Sequence, residues 1–135
     1  MIAPLGPDDI QALAALWEAC GLTRPWNDPQ RDAMLAIEGA TSAILGVRDG
    51  DALIASVMAG FDGHRGWVYY LAVAPDRRRE GLGRQLMDAA EAWLRERGAP
   101  KIQLMVRTSN DEALGFYEAL GLERQEVVTL GKFLR

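Results

Sequence analysis

One cysteine and one histidine are all that this chain of 135 residues offers toward a disulfide or a soft metal site. Cys20 cannot close an internal bridge, and with His64 alone it cannot build a zinc centre of the usual His/Cys kind, so neither is expected. Basic residues are outnumbered, 15 Lys and Arg against 19 Asp and Glu, and the formal charge of -4 has the wrong sign for a domain that works on phosphate backbones. Nucleic acid is therefore not an expected partner. No apolar run reaches the roughly 18 residues that cross a bilayer. The N-terminus, with Asp8 and Asp9 and no basic leader, does not resemble a signal peptide, so no membrane partner and a cytoplasmic location are expected. No repeat period and no linker-like stretch divides the chain, which reads as a single domain over 1–135.

What is present, 49% apolar and 25% charged residues, is the balance of a folded globular chain. Residues 1 to 5 form a short apolar stretch suited to an edge strand, and Pro7 with Asp8 favours a helix start. Ile10, Leu13, Ala14 and Trp17 then fall on one helical stripe, closed by Gly21. The segment from Thr23 to Pro29 breaks helix twice, and Pro29 opens a second helix through about Glu38. Ser42 to Arg48 and Leu53 to Phe61 read as a hairpin turning at Asp49-Gly50, followed after the turn Asp62 to Gly66 by a strand from Trp67 to Val73. Gly81 to Arg97 carries Leu82, Leu86, Ala90, Trp93 and Leu94 at helical spacing, and Ile102 to Val106 is the next strand. A crossover through that helix makes the two flanking strands parallel within a mostly antiparallel sheet. Ser109 and Glu112 have the spacing of a capping box for a helix presenting Ala113, Phe116, Tyr117 and Leu120, and Glu123 to Leu134 are left for one or two final strands.

The most informative stretch runs from Val73 to Arg84, where a strand enters a glycine-rich turn that opens a long helix. First-turn N–H groups have no internal acceptor and sit at the positive end of the helix dipole, so such a turn can hold a diphosphate. Arg78, Arg79 and Arg84 add positive charge there. The alternative is a charged loop that merely starts a helix.

Arg78-x-x-Gly81-x-Gly83 after an apolar strand resembles the acyl-CoA signature of the GCN5-related N-acetyltransferase (GNAT) family. Asn110-x-x-Ala113-x-x-x-Tyr117-x-x-x-Gly121 is similar to that family's second block, and the element order matches along nearly the whole chain. Leu104 to Asn110 resembles the ribosomal-protein alanine acetyltransferase branch. Arg24-Pro25-Trp26-Asn27-Asp28 and Asp62-Gly63-His64-Arg65-Gly66 look like a small bacterial branch, which is favoured.

The resemblance implies an α+β fold with a mixed, mostly antiparallel sheet of six to seven strands flanked by about four helices. It implies direct transfer of an acetyl group from acetyl-CoA to a primary amine, of a small molecule or a protein, in a ternary complex. Leu71, Ala72 and Val73 would offer backbone groups to the pantetheine arm and acyl carbonyl. The amides from about Arg79 to Arg84, through Glu80, Gly81, Leu82 and Gly83, would wrap the diphosphate beside Arg78. Asn110 matches the pantetheine ligand and Tyr117 the general acid. The family often forms homodimers, for which the C-terminal strands are candidates, while the resemblance leaves the oligomeric state open.

A phenol with a pKa of about 10 stays protonated at neutral pH and can donate to a departing thiolate. As alternatives, Tyr117 is a core tyrosine on its stripe and Asn110 a helix cap. A Val73 amide would serve the developing oxyanion. Cys20 is read as a small buried hydrophobe rather than a nucleophile. The pattern departs where Met105 stands in place of the alanine-acetyltransferase glutamate and where Trp67 to Val73 carries no carboxylate. Asp62, His64, Tyr69, Tyr70 or water remain for the base. Arg24, Trp26, Asn27, Asp62 and His64 are candidates for the acceptor side, with Trp26 either a substrate wall or a core plug. The rival to an enzyme is a non-catalytic acyl-CoA-binding sensor or partner subunit; a third reading is an interaction scaffold.

Overall fold

The computed structural model describes residues 1–134. The chain divides into two compact units, Met1–Met105 and a second beginning at Val106. The first contains β1 (Ile2–Pro4), a tight turn at Pro7–Asp9, α1 (Ile10–Ala19), α2 (Pro29–Glu38), β2 (Ser42–Asp49), β3 (Ala52–Phe61), β4 (Gly66–Val73), α3 (Leu82–Glu96) and β5 (Ile102–Leu104). The second contains α4 (Asp111–Ala119). The strands lie in the order β1-β2-β3-β4-β5, antiparallel except for the parallel β4–β5 pair expected from the crossover through α3.

Local chemistry accounts for most boundaries. The Asp28 carboxylate accepts from the backbone N–H of Gln30 at 3.1 Å and of Arg31 at 3.2 Å, and Pro29 then starts α2 at no cost in lost donors. Gly21, Gly98 and Gly121, at φ +69°, +84° and +93°, follow α1, α3 and α4 in the left-handed conformation that a side chain would oppose.

Helices α1 and α2 cover one face of the sheet, where Leu13, Trp17, Ala33 and Ala36 pack with Ile44 and Ala72. Helix α3 covers the other face with Leu86, Met87, Ala90 and Leu94, all buried. Each such leucine contributes about 1.5–3 kcal/mol by leaving water. The close approach of α3 depends on Gly66, because a Cβ there would come within 2.7 Å of the Leu94 Cδ atoms. No described helix is long and apolar enough to cross a membrane.

Three expectations are corrected. The sheet has five strands among the described residues rather than six or seven, because nothing from Glu123 to Leu134 enters it. β-Propensity measures fit to a pleated, half-buried surface, and Val127, Val128 and Leu130 are instead 75%, 84% and 90% exposed. Strand β5 stops at Leu104, short of Val106. Asn110, not Ser109, caps α4: its Oδ1 accepts from the Ala113 N–H at 3.1 Å, one residue later than the capping-box spacing placed the helix start.

Candidate functional site

Strand β4 is bulged in its second half. Met58 faces Tyr69 and Ser56 faces Ala72, so Tyr70 and Leu71 together oppose the single residue Val57. Tyr70 takes φ +52°, a conformation rarely held by a non-glycine residue and retained only where surroundings fix it. Those surroundings are specific. The Tyr70 ring stacks on Trp17, centroids 3.9 Å apart and planes 10° from parallel. The Trp17 indole N–H donates to the Ser56 hydroxyl at 3.0 Å. The Tyr70 hydroxyl donates to the Asp32 carboxylate at 2.7 Å, and the Asn27 side chain also bonds to the Tyr70 hydroxyl.

Burial, then the bond to Asp32 and its charge, hold the Tyr70 phenol protonated well above the ordinary tyrosine range. Tyr70 is thus a donor rather than a base at neutral pH. The carboxylate missing from β4 is supplied to the bulge by α2, as Asp32. Sequence reasoning passed over Asp32 because it lies 38 residues away and reads as an ordinary acidic residue in a first helical turn.

The ladder between β4 and β5 covers only Gly66–Val68 against Ile102–Leu104. From Tyr69 to Val73 no strand pairs with that edge among the described residues, so Leu71, Ala72 and Val73 have no strand partner there. The Val73 carbonyl accepts from Cys20 Sγ at 3.3 Å and from Arg78 Nε at 3.4 Å. Cys20 is half-buried against the α1/α2 core.

Beyond Val73 the chain makes a tight turn at Pro75–Arg77 and reaches α3 through two left-handed residues, Arg79 at φ +68° and Gly81 at φ +80°. Gly81 is the N-cap of α3 and brings no side chain to its first-turn N–H groups, so those of Leu82, Gly83 and Arg84 stay directed outward. Arg78, Arg79, Glu80, Gly81 and Arg84 are all exposed, with Leu82 and Gly83 partly covered. Arg77 anchors the turn: it bonds to Asp49 at 2.7 Å and to Glu80 at 2.9 Å, and its guanidinium lowers the Glu80 carboxyl below the usual range. Glu80 therefore braces the loop through its side chain and leaves only backbone for a ligand.

The remaining predicted residues have mixed duties. Arg24 closes its own loop on the carbonyls of Gly21 and Thr23, at 2.9 and 2.8 Å. Trp26 is 54% exposed, which overturns the reading of a core plug. Asp62 accepts from the N–H groups of His64 and Arg65 at 2.8 and 2.7 Å, bonds that hold its carboxyl below the ordinary range. Asp62 and His64 thus build the β3–β4 turn, with the carboxylate also against the Trp67 indole.

In the second unit Tyr117 is partly buried and meets Phe116 edge to face at 5.1 Å. Burial raises its phenol above the usual value, keeping it protonated through neutral pH. Asn110 itself caps α4 through Oδ1, and only its amide N–H groups are separate from the cap.

The sequence profile of the acetyltransferase (GNAT) family matches residues 10–122. An acetyltransferase of Pectobacterium atrosepticum is 45% identical over 127 residues, covering 94% of this chain and 90% of that protein. The aminoglycoside N-acetyltransferase AAC(6')-Iy, solved with the bisubstrate analogue CoA-S-monomethyl-acetylneamine, superposes with a TM-score of 0.83 at 16% identity over 100% of this chain and 98% of its own. A ribosomal-protein-alanine N-acetyltransferase from Brucella melitensis superposes at 0.78, with 22% identity over 98% and 99%. These two likenesses concern fold. With the profile spanning well over half the sequence and a relative this similar across most of both chains, the chain belongs to the acetyltransferase (GNAT) family.

Proposed function

We propose that residues 1–135 act as one acetyltransferase domain that moves an acetyl group from acetyl-CoA to a primary amine by direct transfer. The observation that carries this is the bulged strand leading through left-handed Arg79 and Gly81 into an α3 whose first-turn N–H groups have no side-chain cap. A diphosphate fits there: it would accept from the amides of Leu82, Gly83 and Arg84 and lie among Arg78, Arg79 and Arg84. Acetyl-CoA supplies the activated acyl group. The backbone of Leu71, Ala72 and Val73 would orient the pantetheine arm, and the Asn110 amide would add a polar contact to it.

An attacking amine must be neutral. We assign its deprotonation to Asp32, whose carboxylate is positioned by the Tyr70 hydroxyl at the bulge, in place of the bases expected from sequence. Tyr117, a protonated phenol at neutral pH whose affinity for its proton burial raises further, would donate that proton to the leaving sulfur. Both the aminoglycoside acetyltransferase and the alanine acetyltransferase act on amines by name, which supports an amine acceptor here.

A thermal melt with acetyl-CoA, and with ATP and NAD as diphosphate controls, tests the cofactor. Saturation at a hundred times the dissociation constant adds about 2.7 kcal/mol, a rise of roughly 5 to 15 °C for a domain of this size. A rise confined to CoA compounds, followed by amine-dependent release of free CoA thiol, is the expected result. No rise with any CoA compound overturns the reading.

A further inference from the structure

A recess lies on the α1/α2 face of the sheet, away from α3. It has a volume of about 320 Å³, and Phe61, Asp62, Trp67 and Tyr69 line it around a floor at Gly60 and Ser42. The floor has a simple origin. Ser42, Gly60 and Trp67 are cross-strand neighbours on β2, β3 and β4, and the row dips where Gly60 has no side chain. A Cβ at Gly60 would stand 3.8 Å from its nearest neighbours, so a larger residue there fills the hollow without a clash at its first atom.

Trp67 and Tyr69, alternate residues of β4 on this face, supply the aromatic walls, and the rim carries the Asp62 carboxylate. Backbone donors from Arg65 and His64 and the Trp67 indole keep Asp62 ionised, and its charge reaches the Tyr69 phenol. Arg65, in the same turn as Asp62, directs its guanidinium to the His64 carbonyl at 3.1 Å. Aromatic faces beside an ionised carboxylate attract an ammonium group and give nothing comparable to an anion or a neutral hydroxyl.

We propose that this recess binds the protonated amino group of an acceptor whose other amine is the one acetylated. An ammonium held against Asp62 keeps its proton and cannot attack, so the reacting amine must be a different one. Trp67 faces Gly60 and Leu71 lies in the bulge against Val57, three strand steps away, about 10 Å at the rise of a strand. The acceptor class that spans this distance is a flexible small molecule with two amino groups roughly 10 Å apart, on the same strand-rise estimate. The inference rests on the placement of the acyl group at Leu71–Val73 proposed above.

The test uses the full chain and three linear probes of one length, diaminooctane, octylamine and octanediol. Binding is followed by tryptophan fluorescence without acetyl-CoA, which keeps this measurement independent of the enzymatic reading. Diaminooctane and octylamine are expected to bind about fivefold more tightly than octanediol, the size expected of one exposed ion pair with a cation–π contact. Asp62→Asn keeps a side-chain oxygen for the turn while removing the charge, and should erase that preference; Gly60→Leu should lower binding of all three probes. In turnover with acetyl-CoA, diaminooctane should show a KM several-fold below that of octylamine, a difference lost in Asp62→Asn. Equal binding of diamine and diol by the unaltered chain, or an unchanged preference in a folded Asp62→Asn protein, overturns the proposal. Absence of turnover with intact diamine binding counts against the acetyl-transfer reading instead.

Discussion

The Tyr70 hydroxyl and the Asp32 carboxylate meet across 2.7 Å, tying the first turn of α2 to a bulge in β4. The bond joins a strained backbone position to a carboxylate that the strand itself lacks. Stacking on Trp17 fixes the ring and Asn27 bonds to the same hydroxyl, so the aromatic cluster holds the carboxylate in one place. Preorganisation of this kind matters most for a proton acceptor, whose rate depends on distance to the amine.

Replacing Asp32 with Asn separates catalysis from structure. The amide can still accept from Tyr70 but cannot take a proton at neutral pH. A fall in kcat of about 100-fold is expected, the scale of a lost general base. The acetyl-CoA-induced rise in melting temperature should be unchanged, since the diphosphate turn is untouched. An Asp32→Asn enzyme with full kcat would remove Asp32 from the reaction.

Gly81→Val should act in the opposite way. At φ +80° a β-branched side chain is strained by about 1–2 kcal/mol or more, and the residue can escape only by reshaping the turn that aims the first N–H groups of α3. The melting temperature should fall by a few degrees, and the additional rise given by acetyl-CoA should largely vanish. A variant that keeps the full acetyl-CoA rise would show that the turn does not hold the diphosphate.

Much of this architecture was legible where a local backbone constraint dictates it. Pro29 after Asp28 starts α2, and Gly21 marks the end of α1, because few other residues satisfy those positions. The parallel pairing of β4 with β5 followed from the crossover. The Tyr70–Asp32 pair was not legible, since neither periodicity nor a motif links residues so far apart. The bulge was hidden as well, having no glycine to announce its positive φ. Neighbouring polar residues concealed the α4 cap, where Ser109 and Asn110 can both serve and one residue of register decides. The C-terminal valines read as strand because their propensity is real, but no strand partner lies beside them among the described residues.

Alkaline pH should destabilise the protein partly through its tyrosines. Tyr70 is raised by burial and Asp32, Tyr117 by burial alone. The folded state therefore retains protons that the unfolded chain releases above a pH of about 10. Stability from these groups is complete below that value and declines as pH rises through the folded-state range. Urea midpoints measured between neutral and strongly alkaline pH should fall less steeply in Tyr70→Phe than in the unaltered chain. Parallel curves would mean that Tyr70 ionises as freely when folded as when unfolded.

Tyr117→Phe decides between an enzyme and a protein that merely binds CoA compounds. Phenylalanine keeps the ring, and with it the edge-to-face contact to Phe116, so α4 should fold as before. What is lost is the phenol proton, present at neutral pH and held more tightly by burial. If that proton goes to the leaving sulfur, kcat should drop by about 100- to 10,000-fold while the acetyl-CoA melting shift stays within a degree or so. The loss should be smaller with an acyl donor whose thiol is more acidic, because such a thiolate departs without protonation. This dependence on the leaving group is the decisive part, since a purely structural tyrosine would slow every donor alike. A uniform loss across donors would move Tyr117 out of the reaction and leave it as packing on α4.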